Sequence, residues 1–168
     1  MSLYSRGEYL KAVEQQAMAE TITKVLYPED NHTDGKLLRL SQQYFLVSAS
    51  IQDIIRRHLM THGNLDELPN LAAIHLNDTH PVLAIPEMMR VMLDECGYGW
   101  DAAWDIVKRT VAYTNHTVMS EALETWNRDL FKMRLPRIYQ IVEEIDRRFW
   151  NEMRAKGVDE GKIFRMAP

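Results

Sequence analysis

Apolar residues recur three and four positions apart along residues 7–26. Tyr9, Val13 and Ala17, then Met18, Ile22 and Val25, predict an amphipathic helix. The pattern breaks at YPEDNHTDGK, where Pro28, Asp30, Asn31, Asp34 and Gly35 supply turn chemistry. A second helix is predicted over residues 38–59, on a stripe of Leu40, Tyr44, Val47, Ile51 and Ile54 that Phe45, Ile55 and Leu59 widen. Its middle, FLVSAS, is apolar or small nearly all round, which predicts burial against more than one neighbour.

THGNLDELPN reads as a loop, and the short apolar run LAAIHL that follows reads as a strand. HPVLAIPEMMRVMLDEC predicts a helix, with Pro86 tolerable only near its first turn. GYG ends it, and Asp101 is placed to cap the next helix, AAWDIVKRT. VAYTN is a second strand. Short helices are predicted at 121–126 and 128–134, and Pro136 opens a long helix through RIYQIVEEIDRRFWNEMRA. The pattern fixes the tail KGVDEGKIFRMAP only weakly. Strand, helix, helix, strand predicts a parallel pair with crossover helices, hence an α/β class. Both strands look apolar on both faces, as central parallel strands do. Two strands make a poor sheet alone, so the pattern suggests a mostly helical piece of something larger.

Composition narrows the function classes. A chain of 168 residues defaults to one domain, and 46% hydrophobic with 26% charged residues is ordinary for a globular protein. A net charge of −4 without a basic block argues against nucleic acid as a partner. The Arg pairs in IIRRHL and IDRRFW read as solvated helix faces. No apolar run is long enough for a membrane span, and MSLYSRGEY lacks the apolar core of a signal peptide. Residues 1–3 read as a cloning scar. The lone Cys96 has acidic neighbours that raise a thiol pKa, and it fits a reducing, cytoplasmic compartment.

Two polar clusters follow the predicted strands: Asn77-Asp78-Thr79-His80 and Thr114-Asn115-His116-Thr117. Ligands of open parallel sheets bind beyond the carboxyl ends of the strands. If the strands are adjacent, Asp78, His80, Asn115 and His116 converge, and amides, a carboxylate and imidazoles suit sugar hydroxyls or another polar ligand. The helix after each strand would point N–H groups at the same crevice. Plainer readings compete: Asp78 and Thr79 as helix caps, His80 as a turn residue before Pro81, His116 as a structural histidine. A metal site from Asp78, His80 and His116 lacks a familiar ligand spacing. His58 and His62 stand four apart, but Leu59 occupies the place of a zinc protease's glutamate, so they read as surface residues. His75 and the four tryptophans read as core.

Five blocks, VLYPEDN, RLSQQYFLVSASIQDIIRR, IHLNDTHPVLAIPEMMRVMLDE, WDAAWDIVKRTVAYTNHTVMSEALETW and LPRIYQIVEEIDRRF, resemble consecutive blocks of the α-glucan phosphorylases. These comprise the glycogen, starch and maltodextrin phosphorylases. The resemblance runs from about residue 9 to residue 166. It implies that residues 4–168 are part of the N-terminal domain of a two-domain, Rossmann-like glycosyltransferase. Residues 7–26 would be a subunit-interface helix, 27–37 a gate loop, and 38–168 an α/β portion. The parent would be a homodimer that phosphorolyses terminal α-1,4-linked glucosyl units of a glucan with inorganic phosphate. The product would be glucose 1-phosphate, with configuration retained. Its pyridoxal 5′-phosphate would act through its phosphate group as a proton relay, held by a lysine whose motif is absent from this chain. The segment alone is therefore expected to be inactive; a stand-alone carbohydrate-binding or assembly module is the alternative.

The resemblance also implies roles residue by residue. Asp30 and Asn31 match the gate loop, with Asn31 near a glucosyl hydroxyl. Asp78 and His80 match the pair lining the acceptor side of the pocket. His116 matches the histidine beside the glucosyl 6-hydroxyl, whose backbone carbonyl lies near the anomeric carbon, where it suits a positive oxocarbenium-like transition state. Asn115 matches its positioning neighbour. The chain departs from the family at His32-Thr33, where animal members carry aromatic residues, and at Ser120 and Asn127, where many members carry proline.

Overall fold

The computed structural model describes residues 4–26, 28–119 and 123–167. The scar at 1–3, Tyr27 of the gate-type loop, Ser120, the first two residues of the helix predicted at 121–126, and Pro168 lie outside them. The described residues are mostly helical with one short parallel sheet, the α/β class expected. The chain divides into two compact units, Met1–Leu46 and Val47–Pro168.

The first unit contains α1, Tyr9–Lys24, and the beginning of α2, Thr33–His62. The stripe predicted on α1 is not a buried face in this chain. Tyr9, Val13 and Met18 are exposed, and Ala12 is its buried residue. α2 starts five residues earlier than the turn chemistry suggested. The cause is His32, whose Nδ1 accepts the Gly35 N–H at 3.2 Å, satisfying one of the donors a helix start leaves open. Asp34 adds negative charge in the first turn, where the helix dipole favours it. Gly35 is buried so closely that a Cβ there would stand 1.8 Å from the Glu29 carbonyl oxygen. The Gln42 amide then donates to the Ile22 and Val25 carbonyls at 3.1 and 2.6 Å, tying α2 to the C-terminal end of α1.

The second unit begins along α2. Val47, Ile51 and Ile55, four apart, form its buried stripe. The prediction that FLVSAS is covered on several sides fails, since Phe45, Leu46, Ala49 and Ser50 are exposed. His58, read as a surface residue, is buried and stacks on His62 with ring centroids 4.4 Å apart. The segment read wholly as a loop contains a short helix, α3, Leu68–Leu71. Strands β1, Ile74–Asn77, and β2, Val111–Thr114, pair in parallel with Ile74 opposite Val111 and Asn77 opposite Thr114. They are not buried on both faces: His75, Asn77, Ala112 and Tyr113 are exposed, and Leu76 is the buried strand residue. His75 is thus no core residue; its ring nitrogen Nε2 meets Thr114 Oγ1 across the ladder.

Between the strands, α4, Ala84–Arg90, carries Pro86 in its first turn as predicted, then passes into a π-helical turn, Val91–Glu95. The Cys96 N–H reaches the Val91 carbonyl, five residues back, at 3.0 Å. Gly97 ends the run at φ 73°, a left-handed conformation that glycine adopts without steric cost. α5, Trp100–Thr110, is capped by Gly99, not by Asp101. Asp101 instead accepts from Arg148 at 2.6 Å. After β2 come α6, Arg128–Arg134, and α7, Pro136–Ala155, both at their predicted positions, and then α8, Glu160–Met166. Leu123–Trp126 are not helical. α4 packs on α5 and α7 around Met88, Met89, Met92, Val107, Ile138 and Ile141. Each such side chain contributes roughly 1.5–3 kcal/mol by leaving water. The tryptophans sit half-buried at the margin of this core rather than in it.

Two polar anchors orient these helices. Arg137, at the start of α7, grips both Asp94 oxygens at 2.6 and 2.8 Å, and this holds the Asp94 carboxyl below its usual range. The Tyr98 hydroxyl accepts from the Leu65 N–H at 2.8 Å and donates to Asp66 at 2.9 Å. Burial pushes the Tyr98 phenol up, so it keeps the proton this bridge needs.

Candidate functional site

The parallel register puts the ends of β1 and β2 level, since Asn77 and Thr114 are partners. The Asp78 N–H donates to the Thr114 carbonyl at 2.9 Å, carrying the ladder one step past β1. Asp78 has φ 59°, a left-handed backbone that aspartate tolerates better than most side chains. Its carboxylate Oδ1 accepts the His116 N–H at 2.7 Å. The two clusters that sequence alone could only juxtapose are joined by this bond.

The remaining predicted residues are placed as follows. His80 is exposed in the turn that the Val82 N–H closes onto the Thr79 carbonyl at 3.1 Å. Asn115 is exposed, and its side-chain amide donates to the Thr117 carbonyl at 2.9 Å. His116 is exposed as well. Asp30 and Asn31 belong to the first unit, where Asp30 faces Arg39 at 3.7 Å and Asn31 donates to Glu29 at 2.7 Å. Asp78 and Thr79 do not cap a helix, because α4 starts only at Ala84. Nor does a helix start directly after β2: residues 115–119 have neither helix nor strand, and α6 begins at Arg128. The expected convergence of two helix N-termini is therefore absent among the described residues. Three or more of the His, Cys, Asp and Glu side chains described nowhere gather as metal ligands would.

Sequence reasoning missed three features. The Thr79 hydroxyl is buried and without a hydrogen-bond partner. Asp78 contacts a backbone group rather than facing outward alone. Its left-handed backbone was readable in principle, because an Asx residue directly after a strand is a common place for positive φ. A shallow groove lined by Trp100, Trp104, Ile145, Arg148, Phe149 and Glu152 lies between α5 and α7, where no motif pointed.

The residues at the strand ends make a polar edge of carboxylate, imidazole, hydroxyl and amide groups on an α/β fold. Neither cluster, residues 77–80 or 114–117, contains a lysine whose amine could hold an aldehyde cofactor such as pyridoxal phosphate.

The family profile described as carbohydrate phosphorylase matches residues 1–167, and the chain belongs to this family. It is 49% identical to "Glycogen phosphorylase" of Haemophilus influenzae over 90% of this chain and 18% of that protein. It is 51% identical to "Alpha-glucan phosphorylase 2, cytosolic" of Arabidopsis thaliana over 95% of this chain and 20% of that protein. Identity with "Glycogen phosphorylase" of Bacillus subtilis is 53%, over 77% of this chain and 16% of that protein. The chain thus spans about a fifth, or less, of the length of these relatives. No helix among the described residues is long and apolar enough to cross a membrane.

Proposed function

We propose that this chain is a segment of an α-1,4-glucan phosphorylase and supplies part of the glucan-facing edge of its catalytic crevice. The whole protein transfers a terminal glucosyl unit to inorganic phosphate, giving glucose 1-phosphate with configuration retained. The observation that carries this reading is the Asp78–His116 bond at the level carboxyl ends of β1 and β2, in a chain of the phosphorylase family.

In this reading the His116 carbonyl faces the anomeric carbon as positive charge develops there, and His116 is the catalytic residue of this segment. Asp78, His80 and Asn115 border the sugar, and Asp30 and Asn31 belong to the gate loop. When bound through a lysine outside this chain, pyridoxal phosphate would offer a phosphate group for proton relay. The residues here hold neither that cofactor nor substrate phosphate, so the segment alone is inactive. Residues 4–168 form part of a Rossmann-like N-terminal domain in the same proposal. The parent is a cytoplasmic homodimer, a location supported by the Arabidopsis relative's name. Exposed Tyr9, Leu10 and Val13 on α1 support a subunit contact there.

The test is phosphorolysis by the full-length protein, with maltoheptaose and phosphate as substrates and pyridoxal phosphate bound. Release of the α-anomer of glucose 1-phosphate is expected. Glucan binding without turnover would move the function to a carbohydrate-binding module.

A further inference from the structure

We propose that Asp78 is a positioning residue that acts through the backbone of His116, rather than a side chain whose main task is to bind glucan. This rests on the function proposed above. The local geometry argues for it in three ways.

First, Asp78 holds the chain's exit from β2 at two points. Its N–H binds the Thr114 carbonyl at 2.9 Å, and its carboxylate binds the His116 N–H at 2.7 Å. Three consecutive residues of the neighbouring segment are thereby spanned by one side chain and its own amide. Second, the restraint falls where regular structure gives none. Residues 115–119 lie in no helix or strand, and His116 is exposed. Around it, Asn115 binds Thr117, and the Met119 N–H reaches the Thr117 hydroxyl at 3.4 Å, so those bonds are local to the loop. Asp78 ties the loop to the sheet. Third, Asp78 keeps a left-handed φ of 59°. That conformation costs a side chain free energy, and the two bonds hold it there.

A charge-assisted bond to a backbone amide is roughly twice as strong as a neutral one and has a fixed direction. Fixing the peptide unit before His116 limits the swing of the His116 carbonyl, which follows in the same residue. A reacting group displaced by about 1 Å can lose on the order of a hundredfold in rate. The consequence of losing the Asp78 carboxylate should therefore appear in turnover, with little change in substrate affinity.

The experiment uses the full-length protein with Asp78→Asn, Asp78→Gly and Asp78→Ala. Glycine accepts the φ freely but has no acceptor. Asparagine tolerates the φ and retains an oxygen acceptor without charge. Alanine lacks both, so agreement between glycine and alanine assigns the effect to the carboxylate and not to backbone strain. Two readouts are taken. Amide hydrogen exchange of the peptide covering residues 115–119 is followed by mass spectrometry. kcat and KM for maltoheptaose are followed in phosphorolysis.

The expected result is exchange at least about tenfold faster at the His116 amide in the glycine and alanine variants, with protection largely restored by asparagine. Turnover should fall roughly ten- to a hundredfold in the same two variants, less in asparagine, with KM within about threefold. Unchanged exchange in Asp78→Gly, or a loss confined to KM, would overturn the proposal. A wild-type protein with no phosphorolysis would refute the proposed function instead, and the exchange data would still decide whether the clamp exists.

Discussion

Arg90 holds the fully buried carboxylate of Glu87 through two bonds of 2.8 Å, one to each oxygen. Ser48 donates to the same carboxylate at 2.8 Å and Gln52 lies at 3.4 Å, so polar side chains of α2 meet the ionic group on α4. Arg90 also reaches Glu95 in the π-helical turn at 2.7 Å. A buried ion pair is weak evidence for stability as such, but removing one partner strands the other charge.

Arg90→Met should therefore destabilise the chain by about 3–5 kcal/mol. Replacing both partners, Glu87→Leu with Arg90→Met, should recover much of that loss. Urea unfolding of the two variants checks this. An Arg90→Met loss below about 1 kcal/mol would mean that Glu87 is not a buried charge.

Gly35→Ala should cost about 1–3 kcal/mol, because the new Cβ would stand 1.8 Å from the Glu29 carbonyl oxygen. The segment of residues 29–32 must retreat, and the His32 cap on α2 goes with it. Faster protease cleavage near Asp30, together with a lower unfolding midpoint, is the expected pair of results.

Acid stability should depend in part on Glu144. Hydrogen bonds from Arg147 and Arg148 hold its carboxyl down to about 2, against an ordinary value of 4.5. A carboxyl whose folded pKa lies below its unfolded one stabilises the fold above the unfolded value. That contribution disappears as pH falls from about 4.5 towards 2. The Glu144 side chain is 28% exposed and its arginine partners are more exposed still, so solvent screening keeps the effect small, on the order of 2 °C in Tm. Glu144→Gln should lose this segment of the pH dependence, and salt near 1 M should shrink it in the wild type.

The helices with clean amphipathic spacing were legible in the sequence. α6 and α7 begin at their predicted residues because Asn127 and Pro136 mark the two starts. The parallel pairing of β1 and β2 was readable from the strand–helix–strand order, and the approach of Asp78 to His116 follows from it. Periodicity misjudged what covers each face. It reports where apolar side chains lie and says nothing of whether their partners belong to the same chain. The exposed stripe of α1 and the exposed Phe45 and Leu46 of α2 are cases of that kind. Short-range polar contacts were harder still. His32 capping α2 and Asp101 turning to Arg148 depend on side-chain directions that spacing does not encode. The burial of Glu87 has no sequence signal of its own beyond Arg90 three residues on, its partner in the folded chain.

The proposed function puts His116 at the reacting centre of the full-length phosphorylase. The most direct measurement is glucose 1-phosphate release from maltoheptaose and phosphate by the full-length protein, wild type against His116→Ala, with cofactor content and thermal stability matched. Alanine keeps the backbone carbonyl and removes the imidazole beside the glucosyl 6-hydroxyl, so a fall in kcat/KM on the order of tenfold to a hundredfold is predicted for the variant. An unchanged kcat/KM would contradict the placement of His116 against the glucosyl unit.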